Sequence, residues 1–177
     1  MERRVDDASL WKRIAEGDAE AFDAFYRQMA APVRSFLRRL VQNEQAAEDV
    51  MQNAFTEIWR RPSGFDPSRG SLRGYLFGVA RKQAMEWWRK QRPEDEIDAE
   101  LAASSRIESS VIADAFGRLN ADQRALLWLR EVQGHSYAEL AAALGIPVGT
   151  VRSRLFAARG ALRAVWHRTP AMKGDRG

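Results

Sequence analysis

The chain has 177 residues, with 28 Lys and Arg against 24 Asp and Glu, and 45% of its residues are hydrophobic. This length suits one ordinary domain or two small ones, and the apolar fraction excludes a wholly disordered chain. The absence of cysteine excludes disulfides, thiolate metal sites and thiol nucleophiles. No stretch resembles a signal peptide or approaches the roughly 18 apolar residues of a membrane span. We therefore expect a cytoplasmic protein without membrane insertion.

Charge is distributed unevenly along the chain. Residues 1–92 hold 17 basic and 13 acidic side chains, residues 93–108 hold one basic and six acidic, and residues 109–177 hold ten basic and five acidic. Two basic lobes thus flank an acidic segment. Basic lobes favour a polyanionic partner such as a nucleic acid. An arginine-rich composition inherited from a GC-rich genome is the alternative explanation.

Apolar residues recur every three or four positions through most of the chain, which predicts an all-α fold. In the first lobe the pattern predicts helices over residues 7–16, 19–30, 32–41, 44–60 and 72–91. Pro32 suits the first turn of the third of these, and Asn43 can cap the fourth. We expect two small helical domains, joined by a flexible acidic linker. Their predicted bounds are 7–92 and 109–168, with the linker over 93–108.

The second lobe is also predicted to be helical. Its first helix carries Ile107, Val111, Ala115 and Leu119 on one face. Capping boxes, formed by Asn120 with Gln123 and by Ser136 with Glu139, open the next two helices. The first of these helices ends near Gly134, and the second runs from Tyr137 to Leu144. Gly145 can end that helix in a left-handed conformation, and a last helix runs from Val148 to about Trp166.

A short helix, a turn containing Gly and a longer helix form a helix-turn-helix pattern. In the longer helix, Val151, Leu155, Ala158 and Leu162 share an inward face. Its outward residues can contact DNA, because Arg pairs with guanine and Phe with a thymine methyl group. Arg159 is predicted to add a phosphate contact. The candidate DNA-binding residues of this helix are Gly149, Thr150, Arg152, Ser153, Arg154 and Phe156.

The sequence Ser136–Leu162 resembles region 4 of the extracytoplasmic-function (ECF) sigma factors of bacterial RNA polymerase. Ala47–Trp59 resembles region 2.2 of that family, and Phe65–Lys90 resembles regions 2.3 and 2.4. The resemblance implies a factor that directs promoter recognition and transcription initiation and that catalyses no reaction. It implies core RNA polymerase (the β′ and β subunits), promoter DNA and an anti-sigma factor as partners. It implies no cofactor and no metal.

The resemblance also assigns site residues. The region 2.2 helix would dock on a coiled coil of β′, through Glu48, Asp49, Gln52 and Asn53. The region 4 helix would read the −35 element through the outward residues named above. The helix from Leu72 to Arg92 would read and melt the −10 element, since basic side chains hold phosphates and aromatic rings stack on unpaired bases. Its candidate residues are Arg73, Tyr75, Arg81, Lys82, Glu86, Trp88 and Arg89.

Four residues depart from the family pattern: Asn53, Lys82, Glu86 and Ala157. The family often has Asn where this chain has Lys82, so the −10 sequence preference is left open. The loop Pro62–Gly70 lies beside this region and would help to capture a flipped base.

Three other functions are compatible with parts of the sequence. A conventional helix-turn-helix regulator would bind duplex DNA without polymerase, and a sigma-like scaffold would have lost promoter function. An enzyme is the least favoured, because no nucleophile–base pair or phosphate-binding glycine loop is present. The two histidines, His135 and His167, lack metal-ligand spacing and are predicted to be solvated or capping residues.

Overall fold

The computed structural model describes residues 7–91 and 115–168, which form helices joined by short loops. The helices of the first lobe are α1 (Asp7–Ala15), α2 (Ala19–Val41), α3 (Glu44–Arg60) and α4 (Leu72–Gln91), with two 3-10 turns, Pro62–Gly64 and Pro67–Arg69, before α4. The helices of the second lobe are α5 (Ala121–Leu127), its continuation as a π-helical turn (Trp128–Val132), α6 (Tyr137–Leu144) and α7 (Val148–Arg168). The predicted linker, 93–108, lies outside the described residues.

Helix α2 runs without interruption through Pro32, so the predicted break at this residue is wrong. Proline removes one backbone hydrogen bond from a helix interior. On either side of it, Met29 and Val33 are both buried against the core. Tertiary packing of the apolar face therefore holds the two segments in one helix. Asp18 caps its first turn by accepting a hydrogen bond from the backbone N–H of Ala21 at 3.0 Å.

Helix α3 begins at the predicted cap, where the Asn43 side chain accepts a hydrogen bond from the backbone N–H of Ala46 at 2.9 Å. Its predicted buried face is confirmed. The residues of that face, each no more than 4% exposed, are Ala47, Val50, Met51, Ala54, Phe55 and Ile58. This face packs between α2 and α4, so the opposite face is left for solvent or a partner.

The second lobe contains both predicted capping boxes. Asn120 with Gln123 opens α5, and Ser136 with Glu139 opens α6. Gly145 ends α6 in the left-handed region, with φ 64°. The predicted helix preceding α5 is described only from residue 115 onward, so Ile107 and Val111 lie outside the described residues. The inward face of α7 is confirmed, since Val151, Leu155 and Ala158 are fully buried and Leu162 is partly buried.

The two lobes pack directly on each other and share one hydrophobic core. Helix α4 packs against α6, and α2 packs against α5. Because α4 carries all the candidate −10 residues, this packing places the second lobe beside them. The sequence pattern did not predict this contact.

Candidate functional site

The outward side of α3 forms a continuous polar surface. We call Asp49, Gln52 and Asn53, which are all exposed, the α3 face. Asp49 accepts a hydrogen bond from the Gln45 side chain at 3.1 Å. Glu48 lies at the edge of the face, half-buried, and forms an ion pair with Arg34 at 2.9 Å. The face is polar and acidic, which suits a protein partner better than a phosphate backbone.

The outward side of α7 presents Arg152, Ser153, Arg154 and Phe156, all exposed, and we call these four residues the α7 face. Phe156 is 80% exposed, although the neighbouring Leu155 is fully buried. The ring thus lies on an otherwise polar helix face, where a partner can reach it. Gly149 is also exposed and has no heavy atom within 4 Å of where a Cβ would lie, so the first turn of α7 is open to a partner. Thr150 is partly buried, and its carbonyl oxygen accepts a hydrogen bond from Ser153 Oγ at 3.0 Å.

Arg159 was predicted to contact phosphate, but it is bound within the protein. Its guanidinium donates to one carboxylate oxygen of Glu131 from Nε at 3.1 Å and from Nη2 at 2.6 Å. Hydrogen bonding to Glu131 raises the pKa of Arg159. To contact a DNA phosphate, Arg159 would have to give up its ion pair with Glu131 of the π-helical turn.

The basic residues of α4 differ in their partners. Lys82, Arg89 and Arg73 are exposed, whereas Arg81 is partly buried. Arg73 donates to the Gln133 carbonyl oxygen at 3.3 Å and to the Gln133 side chain, and Arg81 forms an ion pair with Asp122. Both arginines are thus held by the second lobe. Glu86 is the acidic residue of this helix, and it is partly buried.

The two aromatic candidates of α4 pack against other residues of the first lobe. Tyr75 lies against Trp11 and Phe65, with ring centroids 6.3 and 5.4 Å away. Burial is the main cause that raises the pKa of the Tyr75 hydroxyl. Trp88 donates its indole N–H to the carbonyl oxygen of Leu40 at 3.3 Å. Both rings are only partly buried, so each keeps one accessible part.

A cavity of about 450 Å³ lies between α4, the 62–70 loop and α6. From the first lobe it is lined by residues that include Phe65, Arg69, Tyr75, Arg81 and Lys82. The wall from the second lobe comprises Glu139 and residues 142–145. The structure thus brings three candidate −10 residues together with the predicted loop, and α6 forms the facing wall of the cavity.

The sequence analysis missed two buried polar residues, Arg124 and His135. Arg124 is 1% exposed and donates to the carbonyl oxygens of Gly117, Leu119 and Leu40. Its position in the apolar stripe between Ala121 and Trp128 was a signal that could have revealed its burial.

His135 was predicted to be solvated or capping, which is wrong, since it is 4% exposed and packs edge-on against Phe77 at 5.5 Å. No local sequence signal indicates this contact, because Phe77 lies in the other lobe. The side chain of His167 lies outside the described residues.

Across residues 7–91 and 115–168, no group of three or more His, Cys, Asp or Glu residues is arranged so that it could bind a metal ion. In the same part of the chain, no helix is long and apolar enough to cross a membrane.

The two lobes match two parts of one protein family. Residues 25–94 match Sigma-70 region 2, and residues 109–162 match Sigma-70, region 4. The ECF RNA polymerase sigma factor RpoE of Cereibacter sphaeroides is 30% identical over 171 residues, which cover 90% of this chain and 94% of that protein. The ECF RNA polymerase sigma factor SigL of Mycobacterium tuberculosis is 32% identical over 162 residues, which cover 84% of this chain and 90% of that protein.

Solved structures agree with this assignment. CnrH, in complex with the cytosolic domain of CnrY, is similar to this chain with a TM-score of 0.73 and 26% identity. The similarity covers 92% of this chain and 97% of CnrH. The order of the two matched regions, the helix-turn-helix in the second lobe and the identity over nearly the full length lead to one conclusion: the chain belongs to the ECF RNA polymerase sigma factors.

Proposed function

We propose that this sigma factor works through three surfaces: the α3 face binds core RNA polymerase, α4 binds the −10 element and the α7 face binds the −35 element. It directs initiation at promoters and catalyses no reaction itself. The observation that carries the proposal is the 80% exposure of Phe156 on a helix whose opposite face is fully buried. One face of this helix packs in the core, and the opposite face leaves Phe156 available for contact with a partner.

The α7 face suits the major groove of duplex DNA. The N-terminal part of the second helix of a helix-turn-helix reaches base edges. Arg152 can pair with guanine through two hydrogen bonds, and Phe156 can contact a thymine methyl group. Arg154 and the backbone near Gly149 and Thr150 then contact phosphates and fix the register.

The α3 face supplies the contact with polymerase. Its exposed side chains are acidic or neutral, so it has no affinity for the DNA backbone. The proposed residues are Glu48, Asp49, Gln52 and Asn53. The ion pair of Glu48 with Arg34 makes Glu48 the least available of them, so Asp49 and Gln52 carry most of the contact.

Helix α4 supplies the contact with the opened −10 strand. The proposed residues are Arg73, Tyr75, Arg81, Lys82, Glu86, Trp88 and Arg89. Lys82 and Arg89 are exposed and basic, and Tyr75 and Lys82 line the cavity beside the 62–70 loop. Basic side chains beside accessible aromatic rings are the usual means of holding a single strand.

The proposal also covers a regulatory partner, the cellular location and the division into domains. The solved structure of CnrH contains the cytosolic domain of CnrY, and RpoE of Bartonella quintana was solved in complex with the anti-sigma factor NepR. We propose an anti-sigma factor as a partner of this chain too. We also propose that the protein acts in the cytoplasm as two domains, 7–92 and 109–168, joined by the linker 93–108.

The test is run-off transcription with core RNA polymerase on a promoter library. Core with the chain should transcribe a defined subset of promoters, whereas core alone should not. One small helix-turn-helix binds duplex DNA weakly. Core polymerase holds both DNA-binding surfaces together and so raises the effective concentration of the second contact, and footprints should therefore require core. They should also depend on the spacing between the −35 and −10 elements. Strong footprints from the free protein that ignore spacing would favour a conventional regulator.

A further inference from the structure

The second lobe brings a carboxylate to the surface of α7. Helix α7 contains no acidic residue between Val148 and Arg168. Glu131 belongs to the π-helical turn, 28 residues before Arg159 in the chain, and its side chain is 52% exposed. The fold therefore places one negative charge beside a helix whose own charged side chains are all basic.

Glu131 holds Arg159 in the way that a phosphate would. Two groups of the guanidinium, Nε–H and Nη2–H, donate to the same carboxylate oxygen, Oε1, at 3.1 and 2.6 Å. Arginine binds carboxylates and phosphates through the same fork of donors. Hydrogen bonding to Glu131, and secondarily to Tyr137, raises the pKa of Arg159. Two of the donors that a DNA phosphate would use are therefore occupied by the protein itself.

Arg159 lies in line with the α7 face. It follows Arg152 by seven residues, which is about two helical turns, so the two side chains leave the helix on nearly the same side. Phe156, which is 80% exposed, lies between them along the helix. The Arg159 side chain is itself 40% exposed. A duplex that contacts Arg152 and Phe156 is therefore brought close to the pair formed by Arg159 and Glu131.

The pair of Glu131 with Arg159 is electrically neutral, which changes how α7 binds a polyanion. Each basic side chain that neutralises a phosphate releases counterions, and it steepens the dependence of log affinity on log salt by about 0.9. Arg159 adds no such contact while Glu131 holds it. If a phosphate displaced Glu131, the carboxylate would be left uncompensated beside the DNA backbone, where like charges repel. An exposed ion pair is weak in itself, so this repulsion is what opposes the exchange.

We propose that Glu131 is an internal phosphate mimic that limits the affinity of the second lobe for duplex DNA of any sequence. It neutralises Arg159 beside the α7 face, so the free protein binds DNA weakly and promoter binding depends on core polymerase. Sequence reading is left to Arg152 and Phe156, which lie outside the pair. This inference rests on the proposed contact between the α7 face and DNA.

The first experiment removes the negative charge. Glu131→Gln keeps an oxygen that can accept from Arg159 but leaves the positive charge of the arginine uncompensated. The readout is anisotropy of the free full-length protein with two labelled duplexes, one with the −35 element of a promoter that the wild type transcribes with core, the other scrambled. Glu131→Gln should bind both duplexes about three- to tenfold more tightly at low salt, with a salt dependence steeper by about 0.9. Unchanged or weaker binding would overturn the inference.

A matched control separates this local effect from a change in net charge. Glu44→Gln removes the same charge from α3 in the first lobe, where Glu44 pairs with Arg38 at 2.6 Å and is 60% exposed. It should bind both duplexes like wild type. Equal tightening by Glu44→Gln and Glu131→Gln would show that net charge alone acts, and it would contradict the role of Glu131.

The second experiment tests whether the gain in affinity depends on Arg159. Glu131→Gln combined with Arg159→Gln removes both charges, so this site is neutral, as it is in wild type. The double variant should bind both duplexes within about twofold of wild type. A gain that persisted without Arg159 would overturn the inference.

A purely structural ion pair predicts a different result. In that case Glu131→Gln would lower the free energy of unfolding and would leave DNA binding unchanged or weaker. Urea denaturation of each variant therefore accompanies the DNA titrations. Because the Glu131 side chain is exposed, we expect its replacement to leave the fold intact.

A failure of the proposed function is recognisable in a separate measurement. Arg152→Ala is compared with wild type in binding of the core-bound factor to the same promoter. If Arg152→Ala leaves this binding unchanged, the α7 face does not read DNA and the proposed function fails. If Arg152→Ala weakens it while Glu131→Gln does not tighten binding by the free protein, only the role of Glu131 fails.

Discussion

Arg124 of the second lobe donates a hydrogen bond from Nη2 to the carbonyl oxygen of Leu40, at the end of α2 in the first lobe, over 3.0 Å. The Trp88 indole donates to the same oxygen at 3.3 Å. Burial lowers the pKa of Arg124 to about 10, so the guanidinium is still charged at neutral pH. A cation is favourable there because the last carbonyl groups of a helix carry partial negative charge. Arg124 is thus one of the residues that tie the two lobes together.

Replacement of Arg124 should destabilise the protein. Arg124→Met keeps the length of the side chain but leaves the carbonyl oxygens of Gly117, Leu119 and Leu40 without this donor. We expect the free energy of unfolding to fall by about 3 kcal/mol, measured by urea denaturation. Arg118→Met, at an exposed position in the same lobe, is the control and should change it by no more than about 0.5 kcal/mol. Equal stability of the two variants would contradict the structural role.

Stability should depend on pH through His135. Burial, and secondarily the charge of Arg73, lower the pKa of His135, whereas Glu139 opposes the shift. Arg130 donates to the backbone carbonyl oxygen of His135 at 2.8 Å. Because the pKa of His135 is lower in the folded protein, the unfolded chain binds the proton more readily. The contribution of His135 to stability is therefore complete above the usual histidine pKa of about 6.5 and is lost as pH falls below that value.

The measurement compares urea denaturation at pH 7.5 and 5.5. Wild type should lose more stability between these values than His135→Gln, which cannot be protonated. The direction of the difference is the test, and an equal loss in the two proteins would show that His135 does not titrate on unfolding.

The α3 face should affect binding to polymerase without affecting the fold. Asp49→Arg with Gln52→Ala should weaken binding to core, measured by anisotropy, and change the free energy of unfolding by no more than about 0.5 kcal/mol, because both side chains are exposed. Glu20→Arg with Gln28→Ala makes the same change in net charge at exposed positions of α2 and should keep wild-type affinity. Wild-type affinity in the α3 variant would refute the docking assignment.

Two arginines of α7 should behave differently on DNA. Arg152→Ala should cost about 1–3 kcal/mol at the cognate −35 element and relax the preference at one base pair. Arg154→Ala should weaken cognate and scrambled elements alike and reduce the salt dependence of binding. Both are measured with the core-bound factor at several salt concentrations. If Arg152→Ala weakened the two elements equally, base reading by this residue would be wrong.

Lys82 should influence the −10 sequence more than overall activity. It is exposed and lines the cavity beside the 62–70 loop. Lys82→Asn removes a charge and supplies an amide that can pair with a base edge. A promoter library transcribed with each protein should give different −10 consensus sequences. Lys90→Asn, at another exposed position of α4, should leave the consensus unchanged, and identical sequences for all three proteins would place Lys82 away from the bases.

Several features were predictable because they depend on residues close together in sequence. Both capping boxes, the helix Tyr137–Leu144 and the left-handed Gly145 formed as expected. The buried faces of α3 and α7 followed from the helical repeat. The outward residues of both helices therefore lie where the sequence placed them, and their roles remain predictions.

The tertiary structure alone decided which residues distant in sequence come into contact, within each lobe and between the lobes. Pro32 stays inside a helix because the core on either side holds it, Arg159 binds Glu131, and Trp88 and Arg124 share the Leu40 carbonyl oxygen. His135 is buried only because Phe77 of the other lobe covers it. Helical periodicity reports which side of a helix is apolar, but it does not report which element covers that side. Contacts between residues 28 to 84 positions apart depend on the packing of the whole chain, so the occupation of the α4 surface by the second lobe emerged only from the structure.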